Sequence, residues 1–159
     1  KVWKLYEYPQ ISGCYQPVVL GKKVTGMTDR KPQYINGFYG PHKQFKLFVL
    51  FFKNQSMSVV HKQRSLWEGG NKNEFVVCIG VDGSGKFEWV DAFSWMDRPS
   101  LEVEVEDYFN TTEDVSLDEF ADWMPSQVEK KWKRKNFDDF KYLQMELTDA
   151  QLWWVMIIN

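Results

Sequence analysis

Phe45-Lys46-Leu47-Phe48-Val49-Leu50-Phe51-Phe52 (FKLFVLFF, residues 45–52) is the stretch on which the fold turns. It has the length of a strand and is apolar or aromatic on both faces, so a sheet built on it must be covered on both sides. The residues that follow supply partners for it. From Ser58, the apolar positions Val59, Val60, Leu66 and Trp67 fall at i, i+1, i+7 and i+8, along one side of a helix. Gly69 and Gly70 then provide a stop. Glu74–Val81 reads as a second buried strand. Asp82-Gly83-Ser84-Gly85 has turn composition, and residues 86–95 carry Phe87, Trp89, Phe93 and Trp95 into a third strand. The helical crossover is long enough for the first two strands to pair in parallel, and the tight turn sets the third antiparallel.

Outward from this centre the signals change character. The first 44 residues hold Pro9, Pro17, Pro32 and Pro41 among scattered glycines, which predicts an irregular arm of short strands and turns, with a strand over residues 18–24. On the other side, Leu101, Val103 and Val105 alternate with Glu102, Glu104 and Glu106. That period of two predicts a strand with one wet face, although a helix through Leu101, Val105, Tyr108 and Phe109 competes. Ser116-Leu117-Asp118-Glu119 fits a capping box for a short helix that Pro125 ends. Ser126-Gln127-Val128-Glu129 starts another, with Val128 and Trp132 on one face, and Asn136 caps a third segment. The expected fold is therefore α+β with an α/β-like centre: a mixed β-sheet with a βαββ core and C-terminal helices packed on it. A single globular domain over residues 1–159 follows, with an arm at 1–44, a sheet core with one helix at 45–109, and a mainly helical part at 116–159.

Composition bounds the partners. A chain of 159 residues with 43% hydrophobic and 17% aromatic side chains builds a full core without disulfides or metal. The net charge of −2 removes any global pull towards nucleic acid or anionic lipid. Cys78 lies inside the apolar run at 75–79, so a core thiol is the expectation rather than a bridge to Cys14. The sequence opens on Lys1, and a segment removed ahead of it is expected. Residues 152–158 (LWWVMII) are too short for a span and read as the end of a buried element, or else as the stub of a membrane anchor. Membrane association through flanking segments and a cytoplasmic location both stay open.

Several motifs resemble chemistry. Gly80-Val81-Asp82-Gly83-Ser84-Gly85-Lys86 has the spacing of a phosphate-binding loop. Phe87, however, stands where a hydroxyl must reach magnesium, and a strand follows where a helix N-terminus must hold phosphate. A hairpin turn is the reading. His42 and His61 have no second ligand at metal spacing. The loop Gly69-Gly70-Asn71-Lys72-Asn73-Glu74 is richer, with amide, ammonium and carboxylate groups beside two glycines that permit close approach. With Arg64 and Trp67 it forms the candidate partner-binding set; the plainer reading is a helix stop and a turn.

Charge is segregated. No Lys or Arg occurs from residue 99 to 127, where acids accumulate, and Asp82, Asp91, Asp97, Glu102 and Asp107 are the candidates for a hard cation. The acids between residues 99 and 127 lack the spacing order of a calcium loop, which favours a solvated acidic face. Lys130-Lys131-Trp132-Lys133-Arg134-Lys135 offers cations around an aromatic, as single-stranded RNA binding needs. Helical spacing instead turns Trp132 inward and leaves the cations to water and to the acidic segment.

Residues 45–95 resemble the TPM domain, a family of membrane-linked or exported α/β domains. The likeness rests on FKLFVLFF, a helix closing on Leu66-Trp67-Glu68-Gly69-Gly70-Asn71-Lys72-Asn73-Glu74, the strand FVVCIG and the hairpin into KFEWV. It covers roughly a third of the chain. Glu74 stands where the family tends to have Gly, and the later acidic helix sits differently. The resemblance implies a fold like the one above, and an acid phosphatase or a metal-binding assembly factor. It assigns no catalytic residue here.

The residues point first to a non-catalytic binding or interaction domain without a cofactor, its partner an unidentified protein, in the soluble part of a membrane-associated protein. A metal-assisted phosphohydrolase is the alternative, and RNA binding a third.

Overall fold

The computed structural model describes residues 2–21, 29–95, 100–112 and 117–133. The two apolar runs form the central strands, β2 (Lys46–Lys53) and β3 (Glu74–Val81), preceded by a short β1 (Val19–Leu20) and α1 (Arg30–Lys43). The helix α2 (Val59–Leu66) joins the central pair, and β4 (Phe87–Ser94), α3 (Ser100–Thr111) and α4 (Leu117–Lys131) follow. The sheet order is β1-β2-β3-β4. β2 and β3 run parallel from Lys46↔Glu74 to Lys53↔Val81, and β4 pairs antiparallel with β3. The chain is an α+β fold on a mixed sheet, as the central stretch implies.

Because strand side chains alternate, Phe48 and Phe52 leave one face of the sheet and Phe75 leaves the other. On the first face, the Trp67 and Tyr8 rings meet Phe48 at 5.5 and 5.9 Å, and Tyr6 meets Phe52 at 5.3 Å. On the second, Trp132 packs edge-on to Phe75 at 6.4 Å and to Phe45 at 4.8 Å. α3 packs along β4. Cys78 is fully buried between these layers, and both cysteines are free thiols.

Four expectations are corrected. Residues 30–43, read as part of an irregular arm, form α1. Its prolines sit at the ends: Pro32 lies in the first turn, where the missing N–H has no helical acceptor to lose, and Pro41 lies in the last. Of the strand expected over 18–24, only Val19 and Leu20 pair with β2, and residues 22–24 lie outside the described ones. Residues 101–106 are helical, so two helices, not one, fall within 45–109. Leu101, Val105 and Phe109 line one buried stripe, whereas Val103 is 51% exposed. In a strand, Val103 would have to share their face.

The fourth correction is the break at Pro125. α4 runs through it, and Phe120, Ala121, Met124, Val128 and Trp132 make one continuous buried stripe on both sides. A mid-helix proline costs about 3 kcal/mol, and burying a large apolar side chain returns about 1.5–3 kcal/mol. Two such residues beyond the proline outweigh it. The helix expected from Asn136, Arg134 and Lys135, and the apolar ending at 152–158, lie outside the described residues.

On α2 the sequence pattern also misplaces one residue. Leu66 is 41% exposed, and Gln63 is buried in its place. The Gln63 amide accepts the N–H of Tyr6 at 2.9 Å and donates to its carbonyl at 2.9 Å. Gln55 holds Lys4 in the same two-point manner, at 2.9 and 3.1 Å. Side-chain amides thus stand in for a neighbouring strand along the extended N-terminal segment.

Candidate functional site

The two parallel strands start at the same end of the sheet, where Lys46 and Glu74 are register partners. Gly69 and Gly70, both at φ 82°, take left-handed backbone that turns the chain back towards β3. This return lays the Asn71 N–H on the Glu74 carboxylate at 2.9 Å, and the Asn71 amide adds a second bond at 3.1 Å. The Tyr8 hydroxyl donates a third. Glu74 is only 3% exposed, and a buried carboxylate needs such donors. Burial, then the hydrogen bond to Glu74 and its charge, push the Tyr8 hydroxyl up to about 12, so it keeps its proton at neutral pH.

Around this fixed carboxylate lies a cavity of about 580 Å³. Asn71, Lys72, Asn73 and Glu74 line it from the loop, and Asn36, Gly40, Gln44, Phe45 and Lys46 from α1 and the start of β2. Lys46 donates to the Gln16 side chain, and its ammonium sits 5.2 Å from the Phe48 ring centre. Burial lowers the Lys46 pKa while the charge of Glu74 opposes that shift. Asn36 brackets the backbone of Leu47, accepting its N–H at 2.6 Å and donating to its carbonyl at 2.9 Å. Asn73 Oδ1 is buried without a hydrogen-bond partner among the described residues. An unmet acceptor of that kind costs about 1–3 kcal/mol, which a ligand N–H would recover. A second cavity, of about 350 Å³, adjoins the first through Asn36 and Lys46 and is lined further by Gln16, Gln33 and Gly37.

Of the eight candidates read from the sequence, Asn71, Lys72, Asn73 and Glu74 come together here. Trp67 does not: it is 6% exposed, and its indole N–H donates to the Tyr6 carbonyl at 2.8 Å. Arg64 lies over the Phe93 ring at 5.9 Å, away from the cavity. Gly69 backs onto the Trp95 indole, and Gly70 onto Glu74 and Phe93. Sequence reasoning missed Asn36, Gly40 and Gln44, because α1 was not read as a helix. The available signal was Ile35 and Tyr39, four apart and both buried.

Among the described residues the carboxylates proposed for a cation form no group of three, although Asp91 and Glu102 lie near enough to feel each other's charge. Asp82 closes the β3–β4 hairpin, where its Oδ1 accepts from Ser84 N–H at 2.8 Å, Ser84 Oγ at 2.6 Å and Lys86 N–H at 2.9 Å. The same hairpin accounts for the glycine spacing: the Trp89 ring crosses over Gly80 and leaves no room for a Cβ. Asp91 lies midway along β4, Glu102 and Asp107 lie on α3, and Asp97 lies outside the described residues. Among the described residues, no three acidic, His or Cys groups gather as a metal site. The acidic and basic segments do meet. Lys131 pairs with Glu104, Lys31 with Asp122 at 2.9 Å, and Lys43 with Glu129 at 3.4 Å. Such exposed pairs add little stability.

Glu102 responds to pH. Burial pushes its carboxyl up to about 7, against the pull of Arg64 and of the Ser94 N–H, and the charges of Asp91 and Glu106 act with burial. Its folded pKa thus exceeds the ordinary 4.5, so its contribution is full below that value and is lost as pH rises through about 7. Glu102→Gln is expected to gain on the wild type by on the order of 1 kcal/mol between those limits, the side chain being half-buried and screened by water. Thermal melts across the range check this; a difference that does not change with pH would refute it.

No protein-family model, no curated protein and no solved structure matches the chain. Among the described residues no helix is long and apolar enough to cross a membrane.

Proposed function

We propose that this chain is a non-catalytic binding domain that receives a segment of a protein partner at the corner formed by residues 71–74 and the start of β2. One observation supports this above the others: the internal bonds of Glu74 preset the loop, while Lys72 and Asn73 line an open cavity of about 580 Å³. Binding surfaces of this type consist of a concavity with a few placed polar groups on a rigid frame. The metal-assisted phosphohydrolase is the weaker reading, because the acids among the described residues gather in no group of three.

Selection of a random peptide library on the immobilised protein, followed by calorimetry, tests the proposal. Lys72→Ala and Asn73→Ala are expected to leave the melting transition nearly unmoved, since neither residue belongs to the hydrophobic core. Each should weaken the selected binders about tenfold, equivalent to about 1.4 kcal/mol. Binders that hold both variants as tightly as the wild type would end this reading.

A further inference from the structure

We propose that two copies of this chain associate through the outer face of α1, helix against helix and antiparallel about a two-fold axis near Gly37. This surface lies apart from the corner described above, and the association does not depend on that binding function.

The face itself is the first observation. Tyr34, Phe38 and Pro41 fall at i, i+4 and i+7, one stripe of the helix, and all three are exposed. Tyr34 is 76% and Phe38 50% exposed, whereas Ile35 and Tyr39 on the opposite side are buried. Phe38 is held in place by the His42 ring, stacked on it at 5.0 Å, and by Tyr39, edge-on at 4.9 Å. Beside the stripe, Gly37 borders a cavity of about 350 Å³, which the exposed Ile11 lines from the N-terminal segment. The single chain has no steric use for that glycine: a Cβ there would meet nothing within 4 Å, and glycine in a helix is less stable than alanine. Its missing side chain opens a notch beside a projecting ring. Knob and notch on one face suit a two-fold interface, because each copy then fills the other.

Charge fixes the orientation and the occupant. α1 carries Arg30 and Lys31 at its start, His42 and Lys43 at its end, and no acid, so its own charges give it no direction. α4 supplies one. It lies beside α1 and parallel to it: Asp118 and Asp122 flank Lys31 at 3.8 and 2.9 Å, the Pro125 carbonyl accepts from the Tyr39 hydroxyl at 3.1 Å, and Glu129 pairs with Lys43 at 3.4 Å. Along that length its exposed charge passes from acidic, at Asp118, Glu119 and Asp122, to basic, at Lys130 and beyond it Lys133. A two-fold axis across the helices sets the acidic start of one α4 opposite the basic end of the other, twice over. Asp118 then faces Lys130 of the second copy. Parallel pairing loses this match, and a uniformly anionic lipid surface would meet Asp118 and Asp122. Such exposed pairs choose partner and orientation more than they add affinity.

Sedimentation equilibrium over a dilution series tests the proposal, with circular dichroism as the check on folding. The wild type is expected to pass from monomer to dimer as concentration rises. Phe38→Glu, Tyr34→Glu and Gly37→Leu should each raise the dissociation constant about tenfold or more, with helix content unchanged. Asp118→Lys and Lys130→Glu should each weaken the dimer, and the two together in one chain should restore it. A wild type that stays monomeric throughout would overturn the proposal. So would a dimer that ignores both Phe38→Glu and Tyr34→Glu, or a double charge reversal no better than the single ones. Vesicles containing phosphatidylserine supply the last arm: a monomer that binds them through Tyr34 and Phe38 would assign the stripe to a membrane instead.

Discussion

Trp67→Ala is expected to destabilise the protein by about 3–5 kcal/mol, the range for removing a large aromatic from a packed core. Trp67 follows α2 and joins three elements. Its ring meets Phe48 of β2 at 5.5 Å and Tyr8 of the N-terminal segment at 5.2 Å, and its indole N–H closes on the Tyr6 carbonyl. The substitution leaves a cavity between helix and sheet and removes one of two side-chain donors to that carbonyl, the other being Gln63. A typical domain has only about 5–15 kcal/mol in total, so a large part of the population should unfold near physiological temperature. Urea denaturation measures the loss directly. Lys72→Ala in the same assay should move the midpoint little. A Trp67→Ala protein within about 1 kcal/mol of wild type would mean that the helix is not anchored on the sheet as described.

Trp132→Ala is expected to cost a similar amount, about 3–5 kcal/mol, and it tests a different part of the architecture. Trp132 lies just beyond α4, in the middle of a basic run. Its ring packs edge-on to Phe45 and Phe75, and its N–H donates to the Lys43 carbonyl at 3.1 Å. The residue therefore fastens the end of α4 to the sheet and to the end of α1. Its packing on Phe45 and Phe75 makes the loss large whether or not the helix is continuous through Pro125. Neighbouring Lys133→Ala, with an exposed side chain, serves as the matched control. A loss under about 1 kcal/mol for Trp132→Ala would mean that the ring is not packed on the sheet as described.

The candidate site was half legible. The run Gly69-Gly70-Asn71-Lys72-Asn73-Glu74 concentrates turn-forming and polar residues between a helix and a buried strand, and such a concentration is visible without coordinates. What it does not reveal is which members turn inward. Glu74 reads as a surface acid, yet as the first residue of β3 it is drawn under the Tyr8 hydroxyl. Trp67 reads as a contact residue, yet an indole of that size is buried by the sheet it adjoins. The opposite wall, with Asn36 and Gln44, comes from a helix hidden by its own prolines.

The chain alone determined its centre. Two uninterrupted apolar runs have no stable arrangement except as paired strands covered on both faces, and the glycine pair and the hairpin turn permit few connections between them. Those are local properties, set by residue type and by backbone freedom. The placement of everything around the centre was settled by tertiary packing. Residues 101–106 alternate well enough for a strand, and Pro125 breaks a helix by local rules. In both places the energy of burying a stripe of Leu, Val, Phe, Met and Trp against the sheet or the neighbouring helices exceeds the local preference. A cavity between a loop and a helix likewise exists only once distant segments meet, because neither wall carries the other's signature.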